Sequence, residues 1–181
     1  MGLCLAAMVT QAQTGEAGLT RYVDPMIGTK EMGHVFPGAC VPFGMVQLSP
    51  DTDTIPYAVN GKYTGTVYRY CAGYQYNDKT IVGFSHTHFS GTGHSDLGDF
   101  LVMPTVGKLQ LNPGTAGHPE SGYRSRFSHE TEKAEPGYYR VRLDDYGIDA
   151  EMTTTTRVGF HRYTFPESDN SHIILDLNHG I

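Results

Sequence analysis

Apolar and polar residues alternate along much of the chain beyond residue 22, and this period of two predicts β-strands. Tyr138–Leu143 alternates aromatic and aliphatic side chains with arginines, the pattern of a strand with one buried and one wet face. Residues 148–152 alternate in the same way, and the threonines at 153–156 have β-branched side chains that suit extended backbone. No helical periodicity of comparable length is present. The pattern therefore predicts a mainly β fold.

Other short segments are apolar or alternating and are bounded by Gly, Pro or Asp. They predict strands at 44–49, 80–84, 100–106, 108–111, 157–165 and 172–177. Many strands at short, turn-marked intervals are typical of an antiparallel β-sandwich. Residues 112–122 are rich in Gly and Pro and are interpreted as an internal loop. The sequence stops just after the last apolar strand, so we expect a domain that is truncated, with its sheet incomplete at the C-terminus.

Composition places the chain among globular domains. Its 181 residues, 39% of them hydrophobic, can bury one core without disulfides or metals. The formal net charge is −6, with 13 Lys plus Arg against 19 Asp plus Glu and no basic run, which argues against nucleic acid or an anionic membrane surface as the main partner.

The first 20 residues have the character of a signal peptide. An apolar run at 3–9 precedes a short polar stretch, and it is too short to form a transmembrane segment. Whether Cys4 carries a lipid anchor stays open. Export with cleavage of this segment would remove Cys4. The remaining Cys40 and Cys71 could form a disulfide or remain thiols.

The segment from Gly83 to Asp99 carries the densest chemistry. It combines three histidines, two aspartates and several hydroxyl side chains on a glycine-rich backbone between two apolar strands. Loops held by such scaffolds are where binding residues concentrate. A ligand site is the favoured interpretation, and a surface loop whose polar groups satisfy its own turns is the alternative.

The segment has two further interpretations, a metal site and a pair of catalytic carboxylates. His86 and His88 have the alternate spacing that places two imidazoles on one side of a strand, and with His94 and Asp96 nearby they could bind a metal. The hydroxyls between them fit sugar hydroxyls equally well. Asp96 and Asp99 are carboxylates, but three residues apart on one loop they are expected to brace it rather than straddle a sugar ring.

Five ordered motifs give the chain a specific resemblance. They are YVDPMIGT at 22–29, GHVFPGA at 33–39, VPFGMVQLSPD at 41–51, CAGYQYND at 71–78 and the histidine-rich segment at 83–99. In this order they resemble the N-terminal domain of glycoside hydrolase family 92. The resemblance implies a secreted, periplasmic or cell-surface bacterial exo-α-mannosidase that is inverting and calcium-dependent. It also implies a β-sandwich at 21–181 packed on a C-terminal (α/α)6 barrel.

The resemblance places the acid and base carboxylates, and most calcium ligands, in the barrel. We therefore expect no catalytic or metal-binding residue in this chain, and no activity from it alone. Its expected role is to shape the pocket for mannose-containing glycans at the domain interface. Family members carry sugar-contacting tryptophans before the CAGY motif, where this chain has tyrosines. The predicted substrate-binding residues are Tyr68, Tyr70, His86, His88, Ser90 and Asp96.

His34 is expected to be a hydrogen-bonded structural histidine, and Gly38 and Gly44 are expected in turns. Two functions of other classes stay open. One is a stand-alone carbohydrate-binding β-sandwich. The other is a metal-dependent hydrolase that uses His86, His88 and His94.

Overall fold

The computed structural model describes residues 18–53, 55, 58–91 and 97–180. In this part the strands are β1 Ala39–Cys40, β2 Gln47–Asp51, β3 Ala58–Val59, β4 Lys62–Tyr63, β5 Thr80–Ile81, β6 Gly83–Ser85, β7 Leu101–Val106, β8 Ser125–Arg126, β9 Lys133–Glu135, β10 Tyr138–Leu143, β11 Ile148–Thr154, β12 Gly159–Thr164 and β13 Ser171–Asp176. The helices found there are short 3₁₀ segments at Leu19–Tyr22, Gly65–Tyr70 and Pro119–Ser121.

Two antiparallel sheets form the body of the fold. One has five strands in the order β1-β2-β6-β7-β13, and the other has four in the order β12-β11-β10-β9. Two small two-stranded sheets, β3-β4 and β5-β8, are attached to them. Strands β1 and β2 lie against β10 and β11, so the two larger sheets face each other. The mainly β, antiparallel sandwich predicted from the pattern is confirmed.

The core lies between these sheets. The inward side chains of β10 and β11 are fully buried, while Arg140 and Arg142 point outward as the alternation predicted. Across the core they meet aliphatic and aromatic residues of the five-stranded sheet, including Leu48, Phe84 and Met103. Burial of these apolar faces is the main stabilising contribution to such a fold.

The predicted strands are mostly present with small shifts of their ends. Tyr138–Leu143 has the predicted bounds. Residues 80–84 form two strands instead of one, because β5 pairs with β8 while β6 pairs with β2 and β7. The strand predicted at 108–111 is wrong. Gly107 adopts a left-handed φ of 94° directly after β7, which turns the chain out of the sheet.

Cys40 and Cys71 are both free thiols, the first exposed and the second buried. Within the described residues, no helix combines the length and apolar character that crossing a bilayer requires. Residues 1–17, which include the signal-like segment and Cys4, lie outside the described part of the chain.

Candidate functional site

The histidine-rich segment leaves the sheet at the end of β6 and returns to it at β7. Its two ends are fastened to each other, because the His86 N–H donates to the Asp99 carbonyl at 3.0 Å and the Gly98 N–H donates to the Thr87 carbonyl at 2.9 Å. The Thr87 hydroxyl also donates to the Asp99 carboxylate at 2.9 Å and accepts the Asp99 N–H at 3.0 Å. Asp99 therefore braces the base of the loop.

His88 is directed inward from this loop into a buried polar centre. Its Nε2 lies 2.8 Å from Asp51 Oδ1 and 3.1 Å from Ser85 Oγ, and its Nδ1 lies 2.7 Å from the Gln47 carbonyl oxygen. Because a carbonyl only accepts, Nδ1 carries a proton and donates it. His88 and Asp51 are 1% and 0% exposed. Both ring nitrogens of His88 are thus occupied by the protein itself.

The second oxygen of Asp51 is bound as well. His179 Nε2 lies 2.8 Å from Asp51 Oδ2, so two imidazoles hold the two oxygens of one buried carboxylate. Burial alone would raise the pKa of Asp51, but His88 and His179 outweigh it and bring that pKa well below its usual value.

This buried centre is not a hydrolytic triad. In a triad the carboxylate and the nucleophilic hydroxyl contact opposite nitrogens of the histidine. Here Asp51 and Ser85 both contact Nε2 of His88, and all three side chains are shielded from solvent. Its function is to fix the histidine-rich loop to strand β2.

His86 points to the four-stranded sheet instead. Its Nδ1 donates to the Phe100 carbonyl at 2.8 Å, and its Nε2 lies 3.0 Å from Nε2 of His161 on β12. The Tyr163 hydroxyl, 2.7 Å from His161 Nδ1, completes a chain of hydrogen bonds. Burial, followed by the neighbouring His86, lowers the pKa of His161 to about 4. His161 is consequently neutral near pH 7.

The alternative metal site is not assembled by the residues that the structure describes. His86 and His88 have separate partners, and His94 and Asp96 fall outside the described residues. No group of three or more His, Cys, Asp or Glu side chains suited to a metal ion occurs in the described part.

The two predicted tyrosines differ in their surroundings. Tyr70 is 8% exposed and its hydroxyl donates to Asp78 at 3.0 Å, with burial and then Asp78 raising its pKa. Tyr68 is 38% exposed. Both belong to the 3₁₀ helix Gly65–Tyr70, whose end is held by Gln75, because its amide donates to the Arg69 carbonyl at 2.5 Å. Tyr68 is the one that presents its ring to the surface.

His34 connects Tyr68 with the histidine-rich loop. Its ring packs edge-to-face on the Tyr68 ring, with centroids 4.6 Å apart, and its carbonyl accepts the Gly91 N–H at 2.7 Å. Ser90, a predicted binding residue, is therefore next to this contact. Tyr68 and Ser90 are thus linked through His34 and Gly91, whereas Tyr70, His86 and His88 are engaged elsewhere.

The segment that carries His34 is positioned by close backbone approaches. A Cβ on Gly33 would lie 2.1 Å from the Gly28 carbonyl oxygen, and one on Gly38 would lie 2.2 Å from the Leu48 carbonyl oxygen. Only glycine fits at either position. Gly38 thus allows close packing on strand β2. From the sequence, this glycine was expected to serve a turn.

A groove of about 490 Å³ opens beside Ser90. Phe36, Cys40 and Phe43 contribute to its mostly apolar walls. Phe43 is fully exposed at the tip of the hairpin between β1 and β2 and has a left-handed φ of 58°, which is uncommon for an aromatic residue. The sequence raised Pro42–Gly44 as a segment near the pocket, but it did not predict the exposed hairpin tip at Phe43 or the environment of His34. Their motifs, VPFG and GHVF, were the signal that could have indicated them.

Comparison with known proteins agrees with this architecture. The family model described as the glycosyl hydrolase family 92 N-terminal domain matches residues 22–181. A protein of Arthroderma benhamiae named "uncharacterized secreted glycosidase" is 31% identical over 172 residues, covering 92% of this chain and 20% of the relative.

Solved structures are similar as well. A family GH92 α-mannosidase from Bacteroides thetaiotaomicron, solved in complex with mannoimidazole, is 51% identical with a TM-score of 0.81 over 89% of this chain and 20% of that one. A family GH92 inverting mannosidase from the same bacterium is 26% identical with a TM-score of 0.66, over 87% and 19%. The chain spans about a fifth of the length of these relatives.

Proposed function

Since the chain belongs to the glycosyl hydrolase family 92 N-terminal domain family, we propose that it is the N-terminal domain of an exo-α-mannosidase acting on mannose-containing glycans. The α-mannosidase that is 51% identical over 89% of the chain supports this activity. Because the chain matches about a fifth of that relative, the remainder of the enzyme, including an (α/α)6 barrel, is proposed to come from further sequence.

The observation that carries the role of this domain is the contact of Tyr68 with His34, whose carbonyl accepts the Gly91 N–H beside Ser90, a residue that lines the apolar groove. A half-exposed aromatic ring can pack on the C–H face of a sugar, and a serine hydroxyl can bond a sugar hydroxyl. Binding pockets frequently form where two domains meet. This surface is proposed to be one wall of the sugar pocket.

In this proposal, His88, His86 and Tyr70 do not contact the sugar but hold the binding segments in place. His88 is buried and holds the loop through Asp51, and His86 ties the loop base to β12. Tyr70 fixes the 3₁₀ helix through Asp78. A direct contact from Asp96, which lies outside the described residues, stays a prediction.

The reaction is proposed to be inverting, and an inverting mannosidase among the relatives supports this. Inversion needs an acid and a base carboxylate roughly 6.5–9.5 Å apart, with room for water between them. This pair is proposed to lie in the barrel.

Calcium dependence is proposed on the resemblance alone. Calcium takes six to eight oxygen ligands, typically carboxylates and carbonyls. The described residues contain no group of three or more acidic, histidine or cysteine side chains suited to a metal ion, so none of them is assigned to calcium.

Export from the cell is the proposed localisation. The curated relative is named a secreted glycosidase, which supports this assignment.

The test uses the complete polypeptide that contains this domain. We expect hydrolysis of α-mannosides, release of the β-anomer in the first minutes by NMR, and loss of activity on chelation. Tyr68→Ala should raise KM about tenfold through loss of the aromatic platform, whereas Tyr63→Ala, a matched exposed tyrosine on β4, should not. The 181-residue chain alone should not hydrolyse these substrates. Absence of mannosidase activity in the complete polypeptide would contradict the proposal, and sugar binding by the isolated chain would favour a stand-alone binding module.

A further inference from the structure

His34 combines two unfavourable features. Its φ of 49° lies in the left-handed region, which residues with a Cβ rarely adopt. Its Nε2 is buried and has no hydrogen-bond partner among the residues that the structure describes. The whole residue is 5% exposed, so water does not readily replace a protein partner at this nitrogen.

Neighbouring groups nevertheless hold His34 firmly in this conformation. Its carbonyl accepts the Gly91 N–H, and its ring packs edge-to-face on Tyr68. Gly33 before it lies so close to the Gly28 backbone that no other residue fits. Backbone strain and an unsatisfied polar atom persist only where surrounding structure imposes them, and such positions cluster at binding sites.

The neighbouring histidine His88 offers a contrast. Both of its ring nitrogens have protein partners at 2.7–2.8 Å, as expected of a structural histidine. The chain therefore can satisfy an imidazole in this region. At His34, which contacts the half-exposed Tyr68, none of the described residues pairs with Nε2.

We propose that His34 is a sugar-binding residue whose Nε2 forms a hydrogen bond with one hydroxyl of the terminal mannoside. The inference rests on the proposed function and deepens it, because it assigns a residue to substrate recognition. A neutral imidazole nitrogen can accept from or donate to a hydroxyl, according to its tautomer, so one sugar hydroxyl satisfies it in either state. Because Nε2 is buried, access for the hydroxyl requires local movement around the ring, on which Tyr68 packs.

Two matched variants of the complete polypeptide separate binding from folding. In His34→Gln an amide nitrogen can reach the position of Nε2, whereas the shorter side chain of His34→Asn cannot, although asparagine tolerates the left-handed backbone. We expect kcat/KM to fall about tenfold or more in His34→Asn and to stay within about threefold in His34→Gln. His118→Asn, on an exposed histidine, is the control and should be silent.

Monodeoxy mannosides identify the hydroxyl involved. In the wild type, removal of the hydroxyl that contacts His34 should lower kcat/KM about tenfold. In His34→Asn the same deletion should cost almost nothing, while deletion of the other hydroxyls should cost as much as before. A purely structural role would lower all substrates equally and would not produce this pattern.

The outcomes distinguish the two proposals. Wild-type kinetics in His34→Asn, or equal losses for every deoxy substrate, would overturn the assignment of His34 while leaving the proposed function in place. Then the unpaired nitrogen would be part of the packing against Tyr68. A complete polypeptide that neither hydrolyses nor binds α-mannosides would overturn both.

Discussion

This fold treats two buried histidines, His88 and His34, in opposite ways. His88 is buried with both ring nitrogens bound, one to the Gln47 carbonyl and one to Asp51, which is itself held by His179. His34 is nearly as buried, but its backbone is left-handed and its Nε2 has no hydrogen-bond partner within the described part of the chain. Burial alone therefore does not distinguish a structural histidine from a binding one. The distinction lies in whether hydrogen-bonding capacity is used up.

The contrast extends to the groups around each histidine. The buried centre lies under β2 and β6, inside the five-stranded sheet, where pairing fixes the backbone. The region around His34 consists instead of loops and a 3₁₀ helix, and Phe43 is exposed at a hairpin tip. Changes in the first region should affect stability, and changes in the second should affect binding more than stability.

The largest effect is expected from Asp51→Asn. The substitution removes the buried negative charge that both His88 and His179 contact, and each hydrogen bond to a charged group typically contributes about 1.5–3 kcal/mol. Urea unfolding should show this loss, while Asp169→Asn at an exposed turn should change the unfolding free energy by less than about 0.5 kcal/mol. If the Asp51→Asn protein is as stable as the wild type, the buried centre of His88, Asp51 and His179 does not stabilise the fold.

An intermediate effect is expected from the pH dependence of stability. The pKa of His161 is about 4 in the folded protein, below its ordinary value near 6.5, so the unfolded chain takes up the proton first. This contribution is complete above pH 6.5 and is lost as the pH falls towards 4, at no more than about 1.4 kcal/mol per pH unit. Below pH 4 it changes no further.

Thermal unfolding between pH 7 and 4 measures this dependence. His161→Phe should flatten the profile across that window, because it removes the titrating ring. His118→Phe, which alters an exposed histidine, should leave the wild-type slope. If the slope persists in His161→Phe, His161 is not the group whose protonation lowers the stability in this window.

The smallest effect is expected from Phe43→Gly. Glycine adopts a φ of 58° without the steric cost that a side chain carries, although it adds entropy to the unfolded state. Since the ring is fully exposed, little packing is lost, and we expect stability to rise by about 0.5–1 kcal/mol. Phe160→Gly, on strand β12, should instead be destabilising. Destabilisation by Phe43→Gly would mean that the hairpin tip is not strained.

The sequence predicted the framework better than the site. Period-two alternation located β10 and β11 almost to the residue, because each of these strands has one buried and one wet face. The short strands β1, β3, β4, β8 and β9 have two or three residues and no detectable period. Residues 108–111 alternate like a strand, yet the turn at Gly107 leads them away from the sheet.

The site was harder to predict because its members differ in partners, not in residue type. His86 and His88 are separated by one residue and look equivalent in sequence, but they bind His161 and Asp51, which lie 75 and 37 positions away. No local pattern encodes those distances. His34 was expected to be hydrogen-bonded and structural, whereas its Nε2 has no partner among the described residues.

The contact between Asp51 and His179 has a consequence for the order in which the domain is made. These residues are 128 positions apart, so a nascent chain that has completed β2 still lacks the second imidazole of its buried carboxylate. Contacts between residues this far apart in sequence form late, and they make folding slower. Release of residue 179 from the ribosome is therefore needed before this sheet can close around its charge. Until then the chain stays open to chaperones.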